Sequence, residues 1–146
     1  MKHPALVLLL AASLAGCGGP FFLLPGGELE GSVAETPARW EFTDEVDTIQ
    51  LETRPGDSYS VNIWVTALDE SLYVHAGTNQ SAWVQNMQED PNVRVQVGES
   101  IYELASVRVE TQDEFDRFSD AYEKKYGRRP GNEIVAEVYL FRLGPR

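Results

Sequence analysis

The chain has 146 residues, 23 acidic against 12 basic side chains, a formal net charge of −11 and 42% hydrophobic residues. That length suits one domain with a real core. So acidic a balance argues against nucleic acid and against anionic lipid headgroups as partners.

Residues 1–17 open with Met1-Lys2-His3, continue through an apolar run from Pro4 to Leu14, and end Leu14-Ala15-Gly16-Cys17. A basic start, a short apolar core and small residues before a cut describe a secretory signal. The apolar run is too short to span a bilayer as a helix. The last four residues resemble the lipobox of bacterial lipoproteins. That resemblance implies cleavage before Cys17, a diacylglyceryl thioether on its sulfur, and acylation of the new amino group. The expected division is a signal over residues 1–16, lipidated Cys17 and a tether over 17–27, and a domain over 28–146. Gly18 stands where such lipoproteins often carry the Asp that favours inner-membrane retention. The expected location is therefore the cell envelope, at the outer membrane facing the periplasm, with the lipid bilayer as a partner through Cys17.

Cys17 is the only cysteine, and His3 leaves with the signal, so His75 is the one histidine of the mature chain. A disulfide, a Cys/His dyad and a multi-histidine metal site are thereby excluded. The acidic stretch Glu41 to Asp47 lacks EF-hand spacing and its glycine, so no metal is expected. Gly18 to Gly27 has the glycines and prolines of a tether, yet its Phe21 to Leu24 patch is suited to packing on the domain or dipping into the lipid interface.

Thr48 to Thr53 is a short strand, ended by the turn sequence Arg54-Pro55-Gly56-Asp57. Ser58 to Ala67 alternates, with Tyr59, Val61, Ile63 and Val65 on one face and Ser60, Asn62, Trp64 and Thr66 on the other. Leu68 to Ser71 makes a hairpin turn and Leu72 to Ala76 the returning strand. Gly77 to Ser81 breaks it, and a helix follows over Ala82 to Glu89 with Ser81 as N-cap. Asp90-Pro91 stops that helix. Val93 to Val97 and Ser100 to Val109 are strands around Gly98-Glu99. Thr111-Gln112-Asp113-Glu114 is a capping box, opening a helix to Tyr126 with Phe115, Phe118, Ala121 and Tyr122 as its apolar stripe. Gly127 suits the C′ position. Asp113/Arg117 and Asp120/Lys124 have i,i+4 ion-pair spacing, and Glu133 to Arg142 is a final strand. Mostly antiparallel strands with two inserted helices suggest a small closed or half-closed barrel, mainly β.

Trp83-Val84-Gln85-Asn86-Met87, Asp90-Pro91-Asn92-Val93 and Val95-Gln96-Val97-Gly98 resemble the split β-barrel flavin-binding superfamily over about residues 54–143. The likeness is to its deazaflavin-dependent nitroreductase branch, to pyridoxamine-phosphate-oxidase-like proteins and to a related domain family of unknown function. The resemblance implies a flavin-reductase-like split β-barrel, FMN or deazaflavin as cofactor, and a homodimer. It places phosphate at Arg54 and at Thr78, Asn79 and Ser81, with Trp83 or His75 beside the ring. Helix N-terminal N–H groups, hydroxyls and basic side chains are what hold a phosphate. Read from the residues alone, Thr78, Asn79 and Ser81 equally suit capping the following helix, Trp64 and Trp83 suit core packing or a planar ligand, and His75 suits a packed histidine, a proton donor or a haem ligand. The family commonly carries a lysine where this chain has Asn79-Gln80, and a second cation near Tyr59. Two missing cations favour a binding module for a small planar ligand or a protein. A flavin- or deazaflavin-dependent oxidoreductase is the alternative, and a structural envelope component a third.

Overall fold

The structure is a computed structural model, which describes residues 19, 20 and 22–146. The expected signal and Cys17 lie outside the described residues. Strands β1 (Ser32–Val33), β2 (Thr48–Thr53), β3 (Tyr59–Trp64), β4 (Thr66–Leu68), β5 (Ser71–Ala76), β6 (Asn92–Val97), β7 (Ser100–Arg108) and β8 (Tyr139–Pro145) form one sheet, with helices α1 (Ala82–Glu89) and α2 (Gln112–Tyr126). The strand order is β3-β2-β6-β7-β8-β5-β4. The sheet begins on β3 and ends on β4, and these are two halves of one bent segment, so the sheet closes into a barrel. Neighbours along this path pair antiparallel, whereas β1 pairs parallel with the start of β7, Ser32 opposite Ser100. The fold expected from the sequence, a mainly β split barrel with two helices, is the one observed.

Alternation along the strands decides what faces inward. Leu51, Val65, Leu72, Val74, Val93, Val95, Leu104, Phe141 and Leu143 fill the interior, and α1 adds Trp83, Val84 and Met87 to the same cluster. A second cluster lies outside the barrel wall, where Phe115, Phe118 and Tyr122 of α2 cover Tyr73 and Leu140. These are the outward positions of β5 and β8, the neighbours in sequence of Val74 and Phe141.

Several expectations are corrected. The single strand Ser58 to Ala67 divides at Val65, because α2 takes over that residue's backbone. Val65 N–H donates to Tyr126 Oη at 3.1 Å, and Val65 O accepts from Tyr126 Oη at 2.7 Å and from Lys125 Nζ at 2.8 Å. The final strand starts at Tyr139 instead of Glu133 and runs on to Pro145, with Val135–Glu137 forming a 3-10 turn. The Gln112 amide holds that turn, donating to Glu133 O at 2.9 Å and accepting from Val135 N–H at 3.0 Å. Ser81 and Thr111 occupy the N-cap positions, but neither side chain makes a cap hydrogen bond. Arg117 pairs with Asp69 on the β4–β5 hairpin, and Asp120 with Arg129, in place of the i,i+4 pairs. Gly127 does adopt the left-handed C-cap, φ 71°.

The N-terminal segment lies along the outer face of β2, β3 and β6. Gly26 bridges Ser60, Asn62 Nδ2 donates to Phe22 O at 2.9 Å, and Gln96 Nε2 donates to Glu30 O at 2.9 Å. Beneath it Glu52 is fully buried. Its carboxylate accepts from Leu29 N–H at 2.8 Å, Ser58 Oγ at 2.9 Å and Arg94 Nη1 at 3.0 Å. A buried carboxylate needs such a complete set of donors. Arg94 thus makes the cross-strand pair that its β6 position opposite Glu52 allows.

Candidate functional site

A groove of about 700 Å³ opens on the outer barrel surface, lined by Thr48 and Gln50 of β2, Asn62, Ile63 and Trp64 of β3, His75 of β5, Tyr122 of α2, and Pro20, Phe22 and Leu23 of the N-terminal segment. Ligand sites are commonly concave and aromatic-lined, at about 300–1,000 Å³. Four elements and the N-terminal segment build this one. Outward positions of β2 and β3 supply the polar floor. The end of β5 brings His75 out of the wall. The apolar stripe of α2 runs past the second core and reaches the groove as Tyr122.

His75 packs edge-on against Phe118, centroids 5.3 Å apart, and against Tyr122 at 5.1 Å and 88°. Burial against these rings lowers its pKa to about 4, because an imidazolium loses hydration there and gains no anion. The ring is neutral at neutral pH, and neither nitrogen is spent on a hydrogen bond within the described residues. Trp64 is 39% exposed. Its ring stacks on Tyr126 at 4.8 Å and 14°, and the Arg128 guanidinium lies over it at 4.9 Å from the centroid. The groove therefore offers aromatic side chains, one neutral imidazole and the Gln50 amide, while the Asn62 amide is spent on Phe22 O and Arg128 lies against Trp64.

The sequence-derived site residues are not all brought here. His75 lines the groove. Trp83 is 7% exposed and packs inside the barrel, its ring 6.1 Å from that of Phe141. Arg54 sits at the β2–β3 turn with a left-handed backbone, φ 53°, and pairs with Asp57 at 3.5 Å. Thr78 Oγ1 accepts from Gln80 N–H at 3.2 Å, and Asn79 O accepts from the Gln85 amide at 3.1 Å, so this loop bonds locally ahead of α1. Ser81 stands half-buried at the helix start. Tyr122 is a groove residue that the sequence assigned to the apolar stripe of α2. Nothing in the helical period separates Tyr122 from Phe118 one turn earlier.

A second cleft, of about 630 Å³, is lined by Tyr73, Glu114, Arg117 and Arg142 among others. Its three cations, Arg39, Arg117 and Arg142, are each paired with a carboxylate. Tyr73 Oη donates to Glu114 at 2.9 Å, and Arg142 Nη1 donates to the same carboxylate at 2.7 Å. Burial and the Glu114 contact push the Tyr73 phenol up to about 12, so it stays protonated and is no base. Among the described residues no three His, Cys, Asp or Glu side chains gather to hold a metal ion, and no helix is long and apolar enough to cross a membrane.

Residues 41–139 match the family described as "Uncharacterized protein conserved in bacteria (DUF2255)". The chain belongs to this family. The DUF2255 match covers Trp64, His75, Tyr122 and Arg128, whereas the N-terminal segment that walls the groove lies before it. Solved structures share the fold. A conserved hypothetical protein from Mycobacterium tuberculosis aligns over 73% of this chain and 77% of its own, at TM-score 0.59 and 17% identity. HutZ, the haem storage protein of Vibrio cholerae, aligns over 73% and 86%, at 0.56 and 19%. An FAD-binding protein from Mesorhizobium loti aligns over 73% and 86%, at 0.51 and 15%. A search of curated proteins found no match. At these identities the likeness is one of fold, and it places this DUF2255 chain among split barrels that include flavin- and haem-binding proteins.

The loop before α1 offers no cation to a flavin phosphate. From Ala76 to Val93 the DUF2255 chain has no Lys or Arg, and Arg54 is turned to Asp57. A phosphate dianion is normally held by several charge-assisted hydrogen bonds, each contributing roughly 1.5–3 kcal/mol.

Proposed function

We propose that the protein is a cell-envelope lipoprotein, acylated at Cys17 and held at the outer membrane facing the periplasm, whose split barrel binds a small planar ligand lacking a phosphate. The observation that carries the binding reading is the groove, where Trp64, Tyr122 and an unpaired neutral His75 converge. Flat apolar walls favour a conjugated ring system. The imidazole serves as hydrogen-bond partner or as ligand to a planar metal complex. Arg128 suits one carboxylate on the ligand. Among the described residues no catalytic constellation independent of a cofactor accompanies these groups. The second reading is a flavin- or deazaflavin-dependent oxidoreductase, which the fold shared with an FAD-binding protein favours and the cation-free loop before α1 opposes. Such a cofactor would supply the redox chemistry, the protein only orientation and electrostatics.

The test is to purify the protein from its host envelope and record its visible spectrum, native mass and any small molecule released on denaturation. A planar compound is expected from the wild type and at least tenfold less from Trp64→Ala and His75→Ala. A preparation that carries nothing and ignores added riboflavin, deazaflavin and haem would overturn the reading. The anchor is checked separately: Cys17→Ser abolishes lipid labelling, and labelling that persists contradicts the lipobox.

A further inference from the structure

The N-terminal segment carries a second surface. Phe22 is 78% exposed, Leu23 98% and Leu24 66%. Three consecutive large apolar side chains on a turn are more than the scattered exposure that any surface shows. The turn does not swing loosely. Asn62 Nδ2 donates to Phe22 O, and on its far side Gly26 N–H donates to Ser60 O while Ser60 N–H donates to Gly26 O, both at 2.9 Å. The sheet therefore holds these side chains outward at a fixed place.

We propose that Phe22, Leu23 and Leu24 form a wedge that inserts into the surface of a zwitterionic bilayer. Chain length argues for lipid as the occupant. Cys17 is five residues before Phe22, a reach of no more than about 18 Å, so an acyl chain on its sulfur brings the turn to the membrane surface. Charge argues for the lipid type. Residues 19–27 carry no charge, and exposed Glu28 and Glu30 follow them, so anionic headgroups are repelled and neutral ones tolerated. Apolar side chains beside a lipid anchor add a further membrane contact, which fixes orientation as well as attachment. The wedge goes beyond the binding reading by fixing orientation. Because Phe22 and Leu23 also wall the groove, its rim meets the bilayer surface, within reach of lipophiles dissolved there. The anchor itself rests on the acylation reading above.

The experiment uses the acylated full protein in phosphatidylcholine vesicles carrying bromine at graded acyl depths, with Trp64 emission taken as the difference from Trp64→Phe. Shallow bromines are expected to quench Trp64 at least twofold more in the wild type than in Leu23→Glu, with both proteins equally vesicle-bound. Equal quenching in the two proteins, or none in either, overturns the wedge. A lipid-free dimer that Leu23→Glu dissociates would assign the surface to a second copy and also overturn it. Mass spectrometry of Cys17 reads the anchor independently, so loss of acylation is distinguishable from failure of the wedge.

Discussion

At the scale of the residue, Glu52 and His75 show how burial sets behaviour. The Glu52 carboxylate has its lone pairs taken by Leu29, Ser58 and Arg94. Arg94→Ala leaves a buried charge without its cation. The expected loss is about 3–5 kcal/mol of unfolding free energy, read as a shift of the urea midpoint, with Arg94→Lys recovering part of it. An unchanged midpoint would mean the pair is not buried as described. For His75 the sign runs the other way from a salt-bridged histidine. Its folded pKa, about 4, lies below the unfolded value near 6.5. The unfolded chain binds the proton first, so stability falls as pH drops from about 6.5 to about 4. The contribution is on the order of 3 kcal/mol, measured as the difference between wild type and His75→Leu across that range. Parallel curves would contradict it. His75 was legible as a strand-end histidine on the Tyr73 face. The Glu52–Arg94 pair was not, because it depends on β2–β6 register and on a covering segment 23 residues away.

At the scale of the element, sequence punctuation was strong where the chain makes local choices. Alternation between Ser58 and Ala67, the Asp90-Pro91 stop and Gly127 each marked a strand or a helix end that the structure contains. What sequence did not show are places where one element's side chain takes another's backbone. Tyr126 and Lys125 break the β3–β4 ladder at Val65, and Gln112 holds the 3-10 turn at Val135. Such bonds leave no periodicity. Tyr126→Phe removes a hydroxyl that accepts from Val65 N–H and whose one proton is shared between Val65 O and Asp47 O. A loss of about 1–3 kcal/mol is expected, together with faster amide exchange at Val65. Unchanged exchange there would show that the bend does not depend on the phenol.

At the scale of the whole molecule, closing the barrel through a single bent strand leaves its outer face to do two jobs. One half, over β2, β3 and β6, is covered by the N-terminal segment, and the other, over β5 and β8, by α2. The groove lies between these covers. Its parts come from Thr48, Asn62, Trp64, His75 and Tyr122, scattered over 75 positions of chain, which is why the sequence pointed to His75 and left Trp64 open between core and ligand, but placed the other ligand contacts at Arg54, Thr78, Asn79, Ser81 and Trp83. Those residues follow the phosphate logic that the resemblance implies, whereas the groove gathers aromatic side chains and His75, with Arg128 over Trp64. The most direct measurement titrates the purified protein with riboflavin and with FMN, following Trp64 emission against Trp64→Phe. Binding of riboflavin, with FMN gaining no more than about threefold and His75→Ala weakening both at least tenfold, is the predicted result. No saturable binding of either, or FMN binding tenfold or more tighter than riboflavin, would contradict it.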